Sequence, residues 1–173
     1  KLPVRSEAGN HLGGARAPWL RVNNDELTSR DLYRNESGDE GAMAIGDALR
    51  VHIGVLTECN VRGNNLGVES AKLLAKVATE KQVMLFGIKH DQTKADFKYN
   101  SLGPADAILI ASDVSVSSVL TDLNLEENKI GVEGGKAIAE ALHVNGVLTS
   151  LNLFGNQIGV EGAKAIAAAL HVN

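Results

Sequence analysis

The sequence predicts an α/β solenoid with a right-handed wind, its parallel strands on a concave face and its helices on a convex one. Three observations predict it. Residues 120–145 match residues 148–173 at 20 of 26 positions at an offset of 28, which is an internal repeat. An Asn-x-Leu/Ile-Gly turn recurs along the chain. In the regular units the turn follows a short apolar strand pattern and precedes an Ala-rich helical one. Strands alternating with helices at a fixed period imply a parallel sheet built from stacked units.

The turns place the units. Asn10, Asn35, Asn64, Asn100, Asn128 and Asn156 are followed three residues on by Gly13, Gly38, Gly67, Gly103, Gly131 and Gly159. The spacings are 25, 29, 36, 28 and 28 residues, giving six units over about 2–26, 27–55, 56–82, 83–119, 120–147 and 148–173. In the strand halves, Leu120, Leu123 and Leu125 match Leu148, Leu151 and Leu153, with Leu56, Cys59 and Val61 in the same slots. Val83, Phe86 and Ile88 fill them in the fourth unit, so 91–99 (DQTKADFKY) reads there as a polar insertion, a loop. Arg30 falls on a core slot of the second unit. The first unit is the most degenerate, with Arg5 and Glu7 in apolar slots and Pro18 inside its expected helix.

The helix halves repeat one apolar face. Ala137, Ile138, Ala141 and Leu142 recur as Ala165, Ile166, Ala169 and Leu170, as Leu73, Leu74, Val77 and Ala78, and as Ala44, Ile45, Ala48 and Leu49. Gly41, Gly134 and Gly162 share a second glycine position in the turn. Asn145 follows its helix, where a left-handed cap is expected. Leu151, as a core leucine, is expected to cost about 2–5 kcal/mol when truncated to Ala.

Composition narrows the function. The 173 residues form one domain, 44% hydrophobic and 22% charged, which is a globular balance. A net charge of −4 gives no electrostatic reason to expect nucleic acid, and no apolar run approaches a membrane span. The single Cys59 excludes an internal disulfide, and a cytoplasmic location is expected. The chain opens on Lys1 and ends on a helix without a polar cap. A fragment of a longer array is therefore expected, or a last unit that self-associates end to end with another copy.

The motif L-x-x-L-x-L-x-x-N-x-I-G-x-x-G resembles the leucine-rich repeat family, in its ribonuclease-inhibitor-like subclass of 28–29-residue units. The resemblance covers nearly the whole chain, most strongly 56–82 and 120–173. It implies a horseshoe arc in which each turn asparagine sits inside the turn, bonding backbone groups that the strand end leaves unpaired. It also implies a protein partner held on the concave face.

No catalytic constellation emerges, and no metal or cofactor is expected. Gly131 to Ala137 lacks the spacing and final hydroxyl of a phosphate loop, and recurs as a repeat turn. His11, His52, His90, His143 and His171 show no metal-ligand spacing. Cys59 reads as a small buried hydrophobe. Adjacent acids Glu126 and Glu127 on a strand point apart and do not converge on a substrate.

The candidate partner surface is the concave face. Residues between the core slots form three rows: Ser29, Glu58, Leu85, Asp122 and Ser150; Asp31, Asn60, Gly87, Asn124 and Asn152; and Tyr33, Arg62, Lys89, Glu126 and Phe154. These rows vary where the core rows do not. The reading is a non-enzymatic protein-interaction scaffold. Two others stand beside it. One is a small-GTPase regulator like the Ran GTPase-activating proteins, with Arg62 as a charge stabiliser. The other is a piece of the sensing region of a nucleotide-binding leucine-rich-repeat receptor.

Overall fold

The computed structural model describes residues 28–51 and 55–170. Five three-residue strands alternate with five helices: β1 (Ser29–Asp31), α1 (Gly38–Val51), β2 (Glu58–Asn60), α2 (Val68–Lys81), β3 (Lys94–Asp96), α3 (Pro104–Val116), β4 (Asp122–Asn124), α4 (Gly131–Val144), β5 (Ser150–Asn152) and α5 (Gly159–Leu170). All pairings are parallel and advance one unit at a time. Ser29 pairs with Glu58, Lys94 with Asp122, and Asp122 with Ser150. Each helix packs on the next in chain order. This is the α/β solenoid that the repeats predict. The first unit, with Arg5, Glu7, Asn10, Gly13 and Pro18, lies outside the described residues, as do His11, His52 and His171. No described helix is long and apolar enough to cross a membrane.

Acids near the helix N-termini and bases near some C-termini fit the helix dipole: Asp39, Glu40, Glu69, Asp106, Glu133 and Glu161 at the start, Arg50 and Lys81 at the end. The core is a file of Leu, Ile, Val and Ala running through the layers, with Leu32, Leu74, Leu120, Leu123, Leu125 and Ile138 buried. Arg30, in its core slot, stays half-buried. Leu73 and Leu170, placed by sequence on the buried helix face, are exposed. The second glycine position serves close packing. A Cβ at Gly134 would come within 2.7 Å of the Ala107 Cβ and 2.9 Å of the Ile130 Cβ. Asn145 is extended rather than left-handed (φ −97°). Its side chain does the capping, donating to the Val114 and Ser117 carbonyls and accepting from the Val147 and Leu148 amides.

The fourth unit corrects the sequence reading. Its strand is β3, inside the stretch 91–99 expected to be a loop. Val83–Ile88, expected to be that strand, belongs to the true insertion. The register is set by the turn: Phe97 precedes Asn100 by three residues, as Leu125 precedes Asn128. Val83 to Ile88 instead makes an extra pass beside β2. Cys59 N donates to Met84 O at 2.7 Å, Val61 N to Leu85 O at 2.8 Å, and Met84 N to Thr57 O at 2.8 Å. All of that pass but Gly87 is buried. The ladder stops there, so β1–β2 and β3–β4–β5 are separate sheets.

Asp113 holds the extra pass in place. It lies on α3 where the equivalent positions of α2, α4 and α5 are Val77, Ala141 and Ala169, and it is fully buried. Its carboxylate accepts from Leu85 N at 2.5 Å and Phe86 N at 2.9 Å, amides that a regular ladder would pair with a following strand. Burial pushes the Asp113 carboxyl up to about 7, against the opposing pull of those amides, and Glu58 adds to the rise.

Two outcomes follow from this packing. Leu123→Ala should destabilise by about 2–5 kcal/mol in urea unfolding. Leu151→Ala should cost distinctly less, since Leu151 is only half-buried on the last described strand. Equal losses would contradict that placement. For Asp113, a raised folded pKa means that the native state binds the extra proton. Its contribution is then fully present below about pH 4 and lost as pH rises through about 7. Wild type should therefore lose stability relative to Asp113→Asn across that window, by on the order of 1 kcal/mol or more. A pH-independent difference would show that burial does not dominate the site.

Candidate functional site: the strand face and its turns

The turn asparagines join one layer to the next. Asn64 Oδ1 accepts from Asn35 N (2.9 Å) and Ser37 N (3.2 Å) of the preceding unit, while Nδ2 donates to Leu32 O (2.8 Å) and to its own unit's Val61 O (2.7 Å). Asn128 does the same with Asn100 N, Leu102 N, Phe97 O and Leu125 O. Asn156 Nδ2 donates to Leu125 O, Leu153 O and Phe154 O. Asn35, Asn64, Asn128 and Asn156 are buried. Asn100 departs from the expectation that every turn asparagine lies inside its turn. It is exposed, donating to Lys98 O and accepting from Arg62 Nη2 at 2.5 Å.

The shared turn glycine takes two forms. Gly38, Gly131 and Gly159 are left-handed, with φ of 57°, 63° and 62°, a region that favours glycine. Gly67 and Gly103 are extended N-caps. Gly67 N donates to Asp39 Oδ1 at 2.7 Å, and that carboxylate also accepts from the Ser70 hydroxyl. Both bonds hold the Asp39 carboxyl below its ordinary range, the Ser70 contact most.

Placed in register, the outward rows of the face read as follows. The first is Ser29, Glu58, Lys94, Asp122 and Ser150. The second is Asp31, Asn60, Asp96, Asn124 and Asn152. The third, two residues further on, is Tyr33, Arg62, Lys98, Glu126 and Phe154. Lys94, Asp96 and Lys98 thus take the places expected for Leu85, Gly87 and Lys89. Lys89 lies in the insertion's turn, its amide donating to Gln92 Oε1.

The second row is a structural device. In all five described units its side-chain oxygen accepts from the amide two residues on: Tyr33 to Asp31, Arg62 to Asn60, Lys98 to Asp96, Glu126 to Asn124 and Phe154 to Asn152, at 3.0–3.2 Å. These Asx turns close each strand end. Position between the core slots alone predicts Asp31, Asn60, Asn124 and Asn152 to be contact residues, whereas their side chains close the turns. That Asx, four residues before every turn asparagine from Asn35 onward, was a legible register signal.

The other two rows differ from unit to unit. Lys94 pairs with Asp122 at 3.1 Å, largely in solvent. That contact draws the Asp122 carboxyl below its ordinary range. Beside them is an open hollow of about 310 Å³ lined by Asp96, Asn124, Ser150 and Asn152. Glu58 Oε1 accepts from the His90 amide of the insertion. Arg62 spans the break between the sheets. Its guanidinium lies 5.6 Å from the Tyr33 ring centre and 5.3 Å from those of Phe86 and Phe97, which meet edge to face. Phe154 stands 68% exposed. Among the described residues no group of three or more His, Cys, Asp or Glu could hold a metal ion. Burial pushes the Cys59 thiol up to about 12.

A family model described as Leucine Rich repeat matches residues 116–139 and 144–167. Over those two stretches, together well under half of its length, the chain is similar to leucine-rich repeats. The matched stretches run from the end of α3 through most of α5, where the Asn128 and Asn156 turns and the β4–β5 ladder are most regular. No curated protein matches the repeat chain. Among solved structures, it is similar to the "Leiomodin-1 Actin-Binding Site 2 (ABS2)". That match has 20% identity and a TM-score of 0.38, covering 89% of this chain and 69% of the other. The fold rests on the ladder and turns of this chain rather than on that loose likeness.

The turn geometry predicts a contrast between repeats. Asn128→Ala removes bonds to two layers and leaves buried backbone groups unpaired, so it should cost about 2–4 kcal/mol in chemical unfolding. Asn100→Ala should cost under about 1 kcal/mol. Similar losses would mean that Asn100 also sits inside a closed turn.

Proposed function

We propose that this chain is a non-enzymatic protein-interaction scaffold that engages another protein through its strand face. One observation carries the reading. The Asn, Gly and Leu positions that build the stack repeat from unit to unit, while the exposed positions of the outer strand-face rows do not. A face that changes along a constant scaffold offers a distinct pattern of contacts to a partner. The residues proposed to meet that partner are Tyr33, Glu58, Lys94, Lys98, Asp122, Glu126 and Phe154. Exposed aromatics such as Phe154 are the residue type that anchors interfaces.

The 28-residue spacing, with a full helix in each regular unit, supports the ribonuclease-inhibitor-like subclass. The lone buried thiol of Cys59 fits a reducing, cytoplasmic setting. As a GTPase charge stabiliser Arg62 is poorly placed, since its guanidinium is committed to three rings and to Asn100.

The test is affinity capture with matched surface variants. A partner of this face should be lost on combined Lys94→Ala, Asp122→Ala and Phe154→Ala substitution. It should be retained on combined Glu69→Ala, Lys136→Ala and Lys164→Ala substitution of the helix face. The reverse pattern would move the binding surface to the helices.

A further inference from the structure

The two ends of the strand face treat their aromatic residues differently. Toward the N-terminal end, Tyr33 is met by the protein's own cations, with the Arg34 and Arg62 guanidinium groups 5.0 and 5.6 Å from its ring centre. Toward the C-terminal end, Tyr99 and Phe154 are 66% and 68% exposed, and the charges between them are carboxylates. The Tyr99 hydroxyl donates to Glu126 Oε1 at 3.3 Å, Asn152 Nδ2 donates to Glu126 Oε2 at 3.0 Å, and the Glu127 amide donates to Phe154 O at 2.8 Å. The Glu127 carboxylate lies over Gly155, next to Phe154, so the two rings and two acids are neighbours on one stretch of the face.

Several acids of the described residues are held in ion pairs. On the helix face Asp47, Glu69, Glu133 and Glu161 pair with Arg50, Lys72, Lys136 and Lys164, and on the strand face Asp122 pairs with Lys94. Among the described residues, no such pairing is seen for Glu126 or Glu127. Their field is felt locally, since the Glu126 charge pushes the Tyr99 phenol above its ordinary range and Glu127 adds to it.

Backbone geometry fixes where Tyr99 and Glu127 stand. The residue just after the third outward row is left-handed in every described unit: Arg34 (φ 55°), Gly63 (74°), Tyr99 (55°), Glu127 (51°) and Gly155 (69°). Glycine fits that conformation freely. The conformation belongs to the repeat, since Arg34 adopts it too, and Glu36, Asn65, Ser101 and Gln157, each just after a turn asparagine, are also left-handed. Both Tyr99 and Glu127 are exposed there.

We propose that Tyr99, Glu126, Glu127 and Phe154 form a subsite for a cationic side chain, an arginine or lysine presented by a basic, partly apolar segment of the partner protein. This rests on the scaffold reading above and names the chemistry of one end of its face. The rings supply a π surface for the cation and an apolar wall for its stem. Glu126 and Glu127 stand beyond the end of β4, in the turn, and not on the strand that the sequence reading expects to point them apart; their two carboxylates supply the opposing charge. The Arg34–Tyr33–Arg62 contacts show the same pairing of guanidinium with ring already made within this fold.

The test is an NMR titration of the full chain with the acetylated and amidated pentapeptide GRLRG, alongside its twin carrying neutral citrulline for each arginine. The subsite predicts saturable amide shifts centred on Tyr99, Glu127 and Phe154. The citrulline twin should bind at least about fivefold more weakly. Combined Glu126→Gln and Glu127→Gln should weaken the arginine peptide about tenfold, and raised salt should weaken it further. Tyr99→Gly suits the left-handed turn, so it should keep the fold while weakening binding about threefold.

Absence of saturable shifts at millimolar peptide, equal binding of the twin, or indifference to the carboxamide substitutions would each overturn the proposal. So would self-association abolished by Tyr99→Gly without any peptide binding, which would assign the patch to a second copy. If the peptide fails while captured partners still depend on Lys94, Asp122 and Phe154, the subsite falls and the scaffold reading stands. If partners are indifferent to those residues, the scaffold reading falls by itself.

Discussion

The structure depends on one side chain used repeatedly. A turn asparagine has two donor hydrogens and an acceptor oxygen on a short stem. From inside the turn it reaches strand-end carbonyls of its own layer and both carbonyls and amides of the layer before it. Asn64 and Asn128 do this with the same set of equivalent partners. Those backbone groups lie where the strand stops pairing, so each layer is tied to its neighbour by a satisfied polar group as well as by apolar contact. The short strands and the 28-residue step follow from having to return one asparagine to the same place in every turn.

The fourth unit shows what happens where that link is missing. The extra pass of Val83–Ile88 separates the third and fourth layers, and Asn100 meets the Arg62 side chain where the other turn asparagines meet strand-end backbone. Two other residues serve at the junction. Asp113 accepts the Leu85 and Phe86 amides from the core side, while Arg62 spans Tyr33, Phe86, Phe97 and Asn100 from the face side. The discontinuity divides the face. Its N-terminal part pairs aromatic and cationic groups internally. Its C-terminal part leaves rings and carboxylates open to solvent, and there the case for binding is strongest.

Much of this was legible in the chain. The two last units are near copies, and their Asn, Gly and Leu positions carried the fold class, the turns and most of the core. The fourth strand was not, because the more apolar candidate was the wrong one. Val83, Phe86 and Ile88 look like core slots, whereas the true strand puts polar Gln92 and small Ala95 in the first two and only Phe97 in the third. Two polar signals identify the true strand. Asp96 is the Asx four residues before the turn, matching Asp31, Asn60, Asn124 and Asn152. Thr93 stands seven before it, matching Thr28, Thr57, Thr121 and Thr149. Those threonines form their own ladder, with Thr57 N bonded to Thr28 O, Thr121 N to Thr93 O and Thr149 N to Thr121 O. Asp113 was harder to see, since a single carboxylate in an otherwise apolar helix shows its purpose only once the unpaired amides beside it are placed.

The register of the fourth unit decides whether Lys94, Asp96, Lys98 and Tyr99 belong to the face at all. Scalar coupling across hydrogen bonds, read by NMR on isotope-labelled protein, measures it directly. The account predicts coupling from the Thr121 amide nitrogen to the Thr93 carbonyl carbon, and from the Met84 amide nitrogen to the Thr57 carbonyl carbon. Coupling from the Thr121 amide to a carbonyl within 83–88 would contradict it.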